Sequence, residues 1–307
     1  MKRRTIAILA ISLALLGGAA MLRLRSWRPI GNGPAGPPVP AESFAKPWTQ
    51  SPVVLVGFGD SVTAGFGAEK GYSYFDRLLR NPENEFEDMR GRCLSAVLPD
   101  LRSVNLAVSG STSDQHLESQ IPKLPAAGPD VIGLVVLTTG GNDLIHNYGR
   151  TPPKECAMFG ASWDQATPWI KNFEQRLQTM LDQIQSRFPG GCHVFLATIY
   201  DPTDGRGDIE HAGLPAWKDG SRILAAYNEV IVRAAESHRF VHPVDIHSLF
   251  LGHGIHCSQF WSRHYDSRDP HYWYFANLED PNERGYDAIR RLFLLEISKT
   301  ADQIGSR

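Results

Sequence analysis

A serine, a glycine and an asparagine each follow an apolar run in this chain. Ser61 lies in GFGDSVTAGFG, Gly110 in NLAVSGSTS and Asn142 in TTGGNDL. A glycine lets a backbone N–H approach a ligand closely, and an asparagine amide behind the turn Gly140–Gly141 offers two donors to a cleft. Together they make a hydroxyl, a backbone donor and an amide donor. Acyl transfer needs that set: a nucleophile, and donors aimed at the oxygen that becomes negative in the tetrahedral intermediate. Singly, each has a plainer reading, Ser61 as a helix cap and the glycines as turns. The lipase elbow G-x-S-x-G is not met, because Thr63 stands where its second glycine belongs.

Parallel strands must position these residues. PVVLVGFGD, SVNLAVSG, VIGLVVLTTGG, CHVFLATIY and RFVHPVDI read as five strands, the third and fourth separated by PWIKNFEQRLQTMLDQIQSRF. In that last segment Ile170, Phe173, Leu177, Leu181, Ile184 and Phe188 recur at helical spacing. SRILAAYNEVIVRAAES and NERGYDAIRRLFLLEISKTADQI behave likewise. Near-continuous apolar strands alternating with amphipathic helices predict one α/β domain over residues 51–307, a parallel sheet covered on both faces. In such a sheet ligands sit beyond the carboxyl ends of the strands.

GDSVTAG, the glycine of AVSGST, and GGND, in this order and on these strands, resemble the first three sequence blocks of the SGNH/GDSL hydrolases. The resemblance spans most of Val53–Leu295. It implies a three-layer α/β/α, flavodoxin-like domain with five parallel strands that hydrolyses esters and uses no cofactor. By position it implies Ser61 as nucleophile, with the Ser61 and Gly110 N–H groups and the Asn142 side chain as oxyanion hole.

The family's last block is D-x-x-H followed by Pro and a helix containing Gly-Tyr. Here DPNERGYDAI matches from Pro281 onward, with Asp280 in the histidine's place and Asn277 in the aspartate's. Locally, Asp280 also reads as a helix cap, with Pro281 in the first turn and Glu283 closing a capping box. A serine without a base is a poor nucleophile, and an ordinary carboxylate is about three pKa units too acidic to serve. The expected base is therefore His271, in the enlarged loop SRDPHYWYF. Asp269 is its carboxylate, with Asp266 nearby, and Asp280 and His264 are the alternatives. A rival reading keeps the fold as an inactive binding module, with Asp280 marking loss of the base.

Other clusters have bland readings. His253, His256, Cys257 and His264 match no common zinc spacing, and Asp201, Asp204, Asp208 and Glu210 lack the alternate carboxylates of a calcium loop. No metal is expected. Trp261, Tyr265, Tyr272, Trp273, Tyr274 and Phe275 read as a packed lid or a stacking face for a sugar or acyl chain. The residues leave a lipid acyl ester and a carbohydrate acetyl ester equally open. Cys93, Cys156, Cys192 and Cys257 allow two disulfides or four buried thiols.

A chain of 307 residues, 42% hydrophobic and 21% charged, buries a sizeable core, and a net charge of -2 supplies no pull on nucleic acid. At the N-terminus Lys2, Arg3 and Arg4 precede an uncharged stretch, Thr5–Leu22, about 27 Å long as a helix. Residues 1–28 read as an export signal, either cleaved after Ala20 or retained as a membrane anchor, so the domain is expected outside the cytoplasm. Residues 29–50, rich in Pro and Gly, read as a spacer.

Overall fold

The structure is a computed structural model that describes residues 26–305. The expected signal or anchor falls largely outside the described residues. Five parallel strands form one sheet in the order β2-β1-β3-β4-β5, with β1 at Val53–Gly59, β2 at Leu101–Asn105, β3 at Ile132–Thr138, β4 at Cys192–Ala197 and β5 at Val241–Val244. The helices that matter to the site are α1 (Ser61–Ala64), α2 (Tyr74–Leu79), α3 (Gly141–Ile145), α4 (Trp163–Arg187), α5 (Gly220–Ser237) and α6 (Glu283–Ser298). The fold is the expected α/β sandwich.

Strand alternation divides the core. Leu55, Leu134 and Phe195 face one side, where they meet Tyr74, Leu78, Phe293 and Ile297 from α2 and α6. Val56, Val135 and Leu196 face the other, against Phe173, Leu177, Tyr227 and Ile231 from α4 and α5. Each such side chain contributes roughly 1.5–3 kcal/mol by leaving water. Among these strands, β2 departs from expectation. It spans Leu101–Asn105, ahead of the expected run, and Arg102, Ser103 and Asn105 are exposed because β2 is an edge. Beyond it, Leu106 and Val108 still donate to the Gly57 and Gly59 carbonyls. That extension sets Ser111, the residue after Gly110, onto the Gly59 carbonyl.

Two boundaries carry consequences for the site. Helix α4 begins at Trp163 on a Ser162–Gln165 capping box, and Pro168 is accommodated inside it. Helix α6 is capped by Asn282, whose side chain accepts from the Arg284 and Gly285 N–H groups. Asp280 is therefore not the cap. Its carboxylate is free of that duty.

Residues 29–50 are a docked strap rather than a loose spacer. Ala35, Val39 and Phe44 are buried in the α2–α6 side of the core. Arg284 donates to the carbonyls of Asn32, Gly33 and Pro34, and the Ala35 N–H donates to Asp287 Oδ2 at 2.9 Å. A Cβ at Gly36 would lie 2.6 Å from the Ala288 Cα, so only glycine admits this approach. Proline and glycine exclude a helix over residues 31–40, but they do not exclude packing once a guanidinium satisfies the carbonyls.

Candidate active site

Ser61 opens α1 directly after β1. The turn depends on Gly59, at φ +124, where a Cβ would meet the Thr138 carbonyl at 1.9 Å. Asp60 is the cap of α1: its Oδ1 accepts from the Val62 N–H at 3.2 Å and from the Thr138 hydroxyl at 2.7 Å. Ser61 itself is therefore a helix residue and leaves the capping role to its neighbour. It is 8% exposed.

Gly110 has φ +80 with open space on its Cβ side, so it is the backbone conformation that favours glycine there. The next residue, Ser111, ties the loops together. Its carbonyl accepts from Asn142 Nδ2 at 2.9 Å and its hydroxyl donates to the Gly59 carbonyl at 3.0 Å. Behind it His116 bonds Ser111 through Nε2 and Thr139 through Nδ1, both at 2.9 Å, while Gln120 brackets the Gly59 backbone. Burial holds the His116 pKa down at about 4, so the ring is neutral. Sequence reasoning missed these supports, because a lone His and Gln after a loop carry no spacing signal. Asp143, beside Asn142, fixes α3 by accepting from the Ser113 N–H and hydroxyl.

One cleft holds Ser61, Asn142, Asp60 and Glu279 on its polar side, and Leu144, Ile145, Phe159, Leu214, Trp217 and Leu224 on its apolar side. It encloses about 1090 Å³ of space, part of it open to solvent. No Lys, Arg or His lines it among the described residues.

Asp280 stands beside Ser61. It is 2% exposed, its Oδ2 accepts from Asn277 Nδ2 at 2.7 Å, and its buried Oδ1 has no hydrogen-bond partner among the described residues. Burial raises its pKa, while the nearby Ser61 side chain and Asn277 pull it partly back. Glu279 is pushed up to about 7, by burial first and then by the Asp280 charge. Asp60 is pushed up to about 6 by burial, against the hydrogen bonds from Thr138 and Val62 and with the help of the Asp280 and Asp143 charges. Three acids thus crowd the serine without a cation.

The other expected residues lie elsewhere. His271 does pair with Asp269, Nδ1 to Oδ1 at 2.6 Å, but Asp269 also accepts from Arg284 and the imidazole rests on the strap at Gly31. Neither His271 nor Asp269 lines the cleft. His264 packs beneath Gly252, also outside it. Asp266 bonds Arg268.

Among the described residues no group of acids, histidines and cysteines could hold a metal. His253 stacks on Trp273, and His256 bonds Asp208 at 2.9 Å. Asp204, at φ +54, accepts from the backbone N–H groups of Gly252, Gly254 and His256 and so clamps that turn. Tyr272, Trp273 and Tyr274 are buried against Phe250 and Tyr200, whereas Trp261 and Phe275 are exposed. No disulfide joins the four cysteines.

A parallel α/β sheet that presents a buried serine and an amide donor at neighbouring strand ends is the architecture of a carboxylic-ester hydrolase. Residues 58–288 match the GDSL-like lipase/acylhydrolase family, and the chain belongs to it. Among solved structures, an extracellular lipase of Streptomyces rimosus is 19% identical with a TM-score of 0.51, over 80% of this chain and 99% of that one. A variant of an acetyl xylan esterase from Geobacillus stearothermophilus is 20% identical with a TM-score of 0.50, over 81% of this chain and 96% of that one. Both share the fold. Comparison with curated proteins gives no match.

Proposed function

We propose that the protein hydrolyses esters of apolar acyl chains through an acyl-enzyme on Ser61, with Asp280 as the proton acceptor. One observation carries this reading: Ser61, the Asn142 amide and a wall of apolar side chains share a single cleft, and Asp280 adjoins the serine. Ser61 Oγ attacks the carbonyl carbon and its proton passes to the Asp280 carboxylate. The oxyanion is held by the Ser61 and Gly110 N–H groups and by Asn142. Asp280 returns the proton to the departing alcohol. Water then attacks the acyl-enzyme and gives a proton to Asp280; as the bond to Oγ breaks, Asp280 passes that proton to Ser61, and the acid leaves.

A solvated aspartate is too weak a base for this step. Burial strengthens Asp280 by disfavouring its charge, against the pull of Ser61 and Asn277, and so moves it toward the range in which a base is useful at neutral pH. The apolar wall favours acyl chains longer than acetyl. The basic and uncharged N-terminal segment supports export, with the domain released or kept at a membrane.

The test is fluorophosphonate labelling of the full chain, read by peptide mass, in the parent, Asp280→Asn and His271→Ala proteins. Labelling at Ser61 that disappears with Asp280→Asn and survives His271→Ala is expected. Loss only with His271→Ala returns the base to the His271–Asp269 pair. A folded parent that does not label leaves a binding module as the better account.

A further inference from the structure

We infer that a second surface, formed by Trp27, Ile30, Phe260 and Trp261, docks on a phospholipid bilayer. These four are half of the large apolar side chains exposed among the described residues, and they come from two distant segments. The Ser258 hydroxyl joins the segments by donating to the Trp27 carbonyl at 2.5 Å, and within the second segment Phe260 meets Trp261 edge to face at 4.9 Å. Between Trp27 and Ile30 the chain turns Arg28 inward, over the Tyr272 ring and onto the His211 carbonyl. Two aromatics at 54% and 69% exposure are therefore held out by built contacts.

The chain names the occupant. Trp27 lies five residues after Leu22, the end of the uncharged stretch Thr5–Leu22, with Arg23 and Arg25 between them. Five residues span at most about 17 Å, so a bilayer that receives that stretch lies within reach of this surface. Tryptophan with flanking arginine suits the headgroup boundary, where one end of the ring is apolar and the other wet. Arg263, exposed just beyond Trp261, adds positive charge for an anionic lipid. The surface also adjoins the cleft: Arg28 holds His211, in the loop whose Ile209 and Leu214 line it. The docking itself does not depend on the chemistry at Ser61.

Hydroxyl-radical footprinting of the full chain in phosphatidylcholine–phosphatidylglycerol vesicles tests this with an internal standard. Trp48, partly buried, precedes β1 at the opposite edge of the sheet and bonds the Val97 carbonyl there. On a free surface Trp27 oxidises faster than Trp48. On a docked one the rate ratio drops below one, and the paired Phe260→Asp and Trp261→Asp changes raise it again. A ratio above one in the parent overturns the proposal. So does cross-linking between copies through residues 258–261 in the same vesicles, which would assign the surface to a second chain. Ser61→Ala leaves the ratio unchanged, which separates failure of the docking from failure of the ester reading.

Discussion

Asp280 and Asp287 are seven residues apart, both buried, and electrostatically opposite. Asp287, on α6, meets Arg77 at 3.2 Å, Arg290 at 2.7 Å and Arg291 at 3.0 Å. Glu85 joins the same network. Burial pushes its pKa up, but the hydrogen bonds and charges of Arg290 and Arg77 together outweigh that and hold it at about 2. At Ser61 no guanidinium lines the cleft among the described residues, and Asp60, Glu279 and Asp280 all shift upward. A buried acid with its arginine holds the fold together. One left without it, beside a hydroxyl in a cleft, is poised to take up a proton.

The sharpest way to break this contrast is exchange of each acid in turn. Asp280→Asn is expected to lower kcat by about 10²–10⁴-fold with the melting temperature nearly unchanged, measured on p-nitrophenyl esters. Asp287→Ala is expected to do the reverse. Urea unfolding should show a loss of about 3–5 kcal/mol, because three arginines lose their shared partner, while kcat of the folded protein is kept.

Acidity sharpens the comparison further. Asp60 binds its proton more tightly when folded, its pKa being about 6 against 3.8, so its contribution to stability is lost as pH rises between those values. Glu85 has the opposite sign: its contribution is present above 4.5 and lost as pH falls toward about 2. Asp60→Asn should therefore flatten the decline between 3.8 and 6, by about 2 kcal/mol in urea unfolding. Activity should fall as pH drops through the raised Asp280 pKa, since only its ionised form accepts a proton. The smallest effect is expected on the apolar wall. Leu224→Trp should shift kcat/KM toward short acyl chains by about tenfold across an ester series.

The sheet and the three strand-end residues were legible because each is local: an apolar run, a turn glycine, and a polar side chain within a few positions. The base was not. His271 had the right chemistry and even its Asp269 partner, yet the chain carries that pair to the strap, on the far side of Arg284. Asp280 was read both as a cap and as an alternative acid or base, and only the cap reading fails. Two helix starts compete in DPNERG, one at Asp280 with Glu283 and one at Asn282 with Gly285, and only tertiary packing selects the second. The strap was misread for a related reason. Composition reports what backbone shape is excluded and says nothing about a guanidinium arriving from residue 284.

The strap also gives the protein an order of assembly. Its residues are synthesised well before its seat, α6. The Ala35–Asp287 hydrogen bond closes a sequence separation of 252 residues. Until α6 has emerged, Ala35, Val39 and Phe44 have no complete surface to bury against and Arg284 cannot satisfy the strap's carbonyls. Contacts this distant form late, because the entropy of closing the loop comes before the contacts can reward it. A nascent chain thus leaves the strap unlatched until α6 is made, and it is the arrival of that helix that closes the strap over the core.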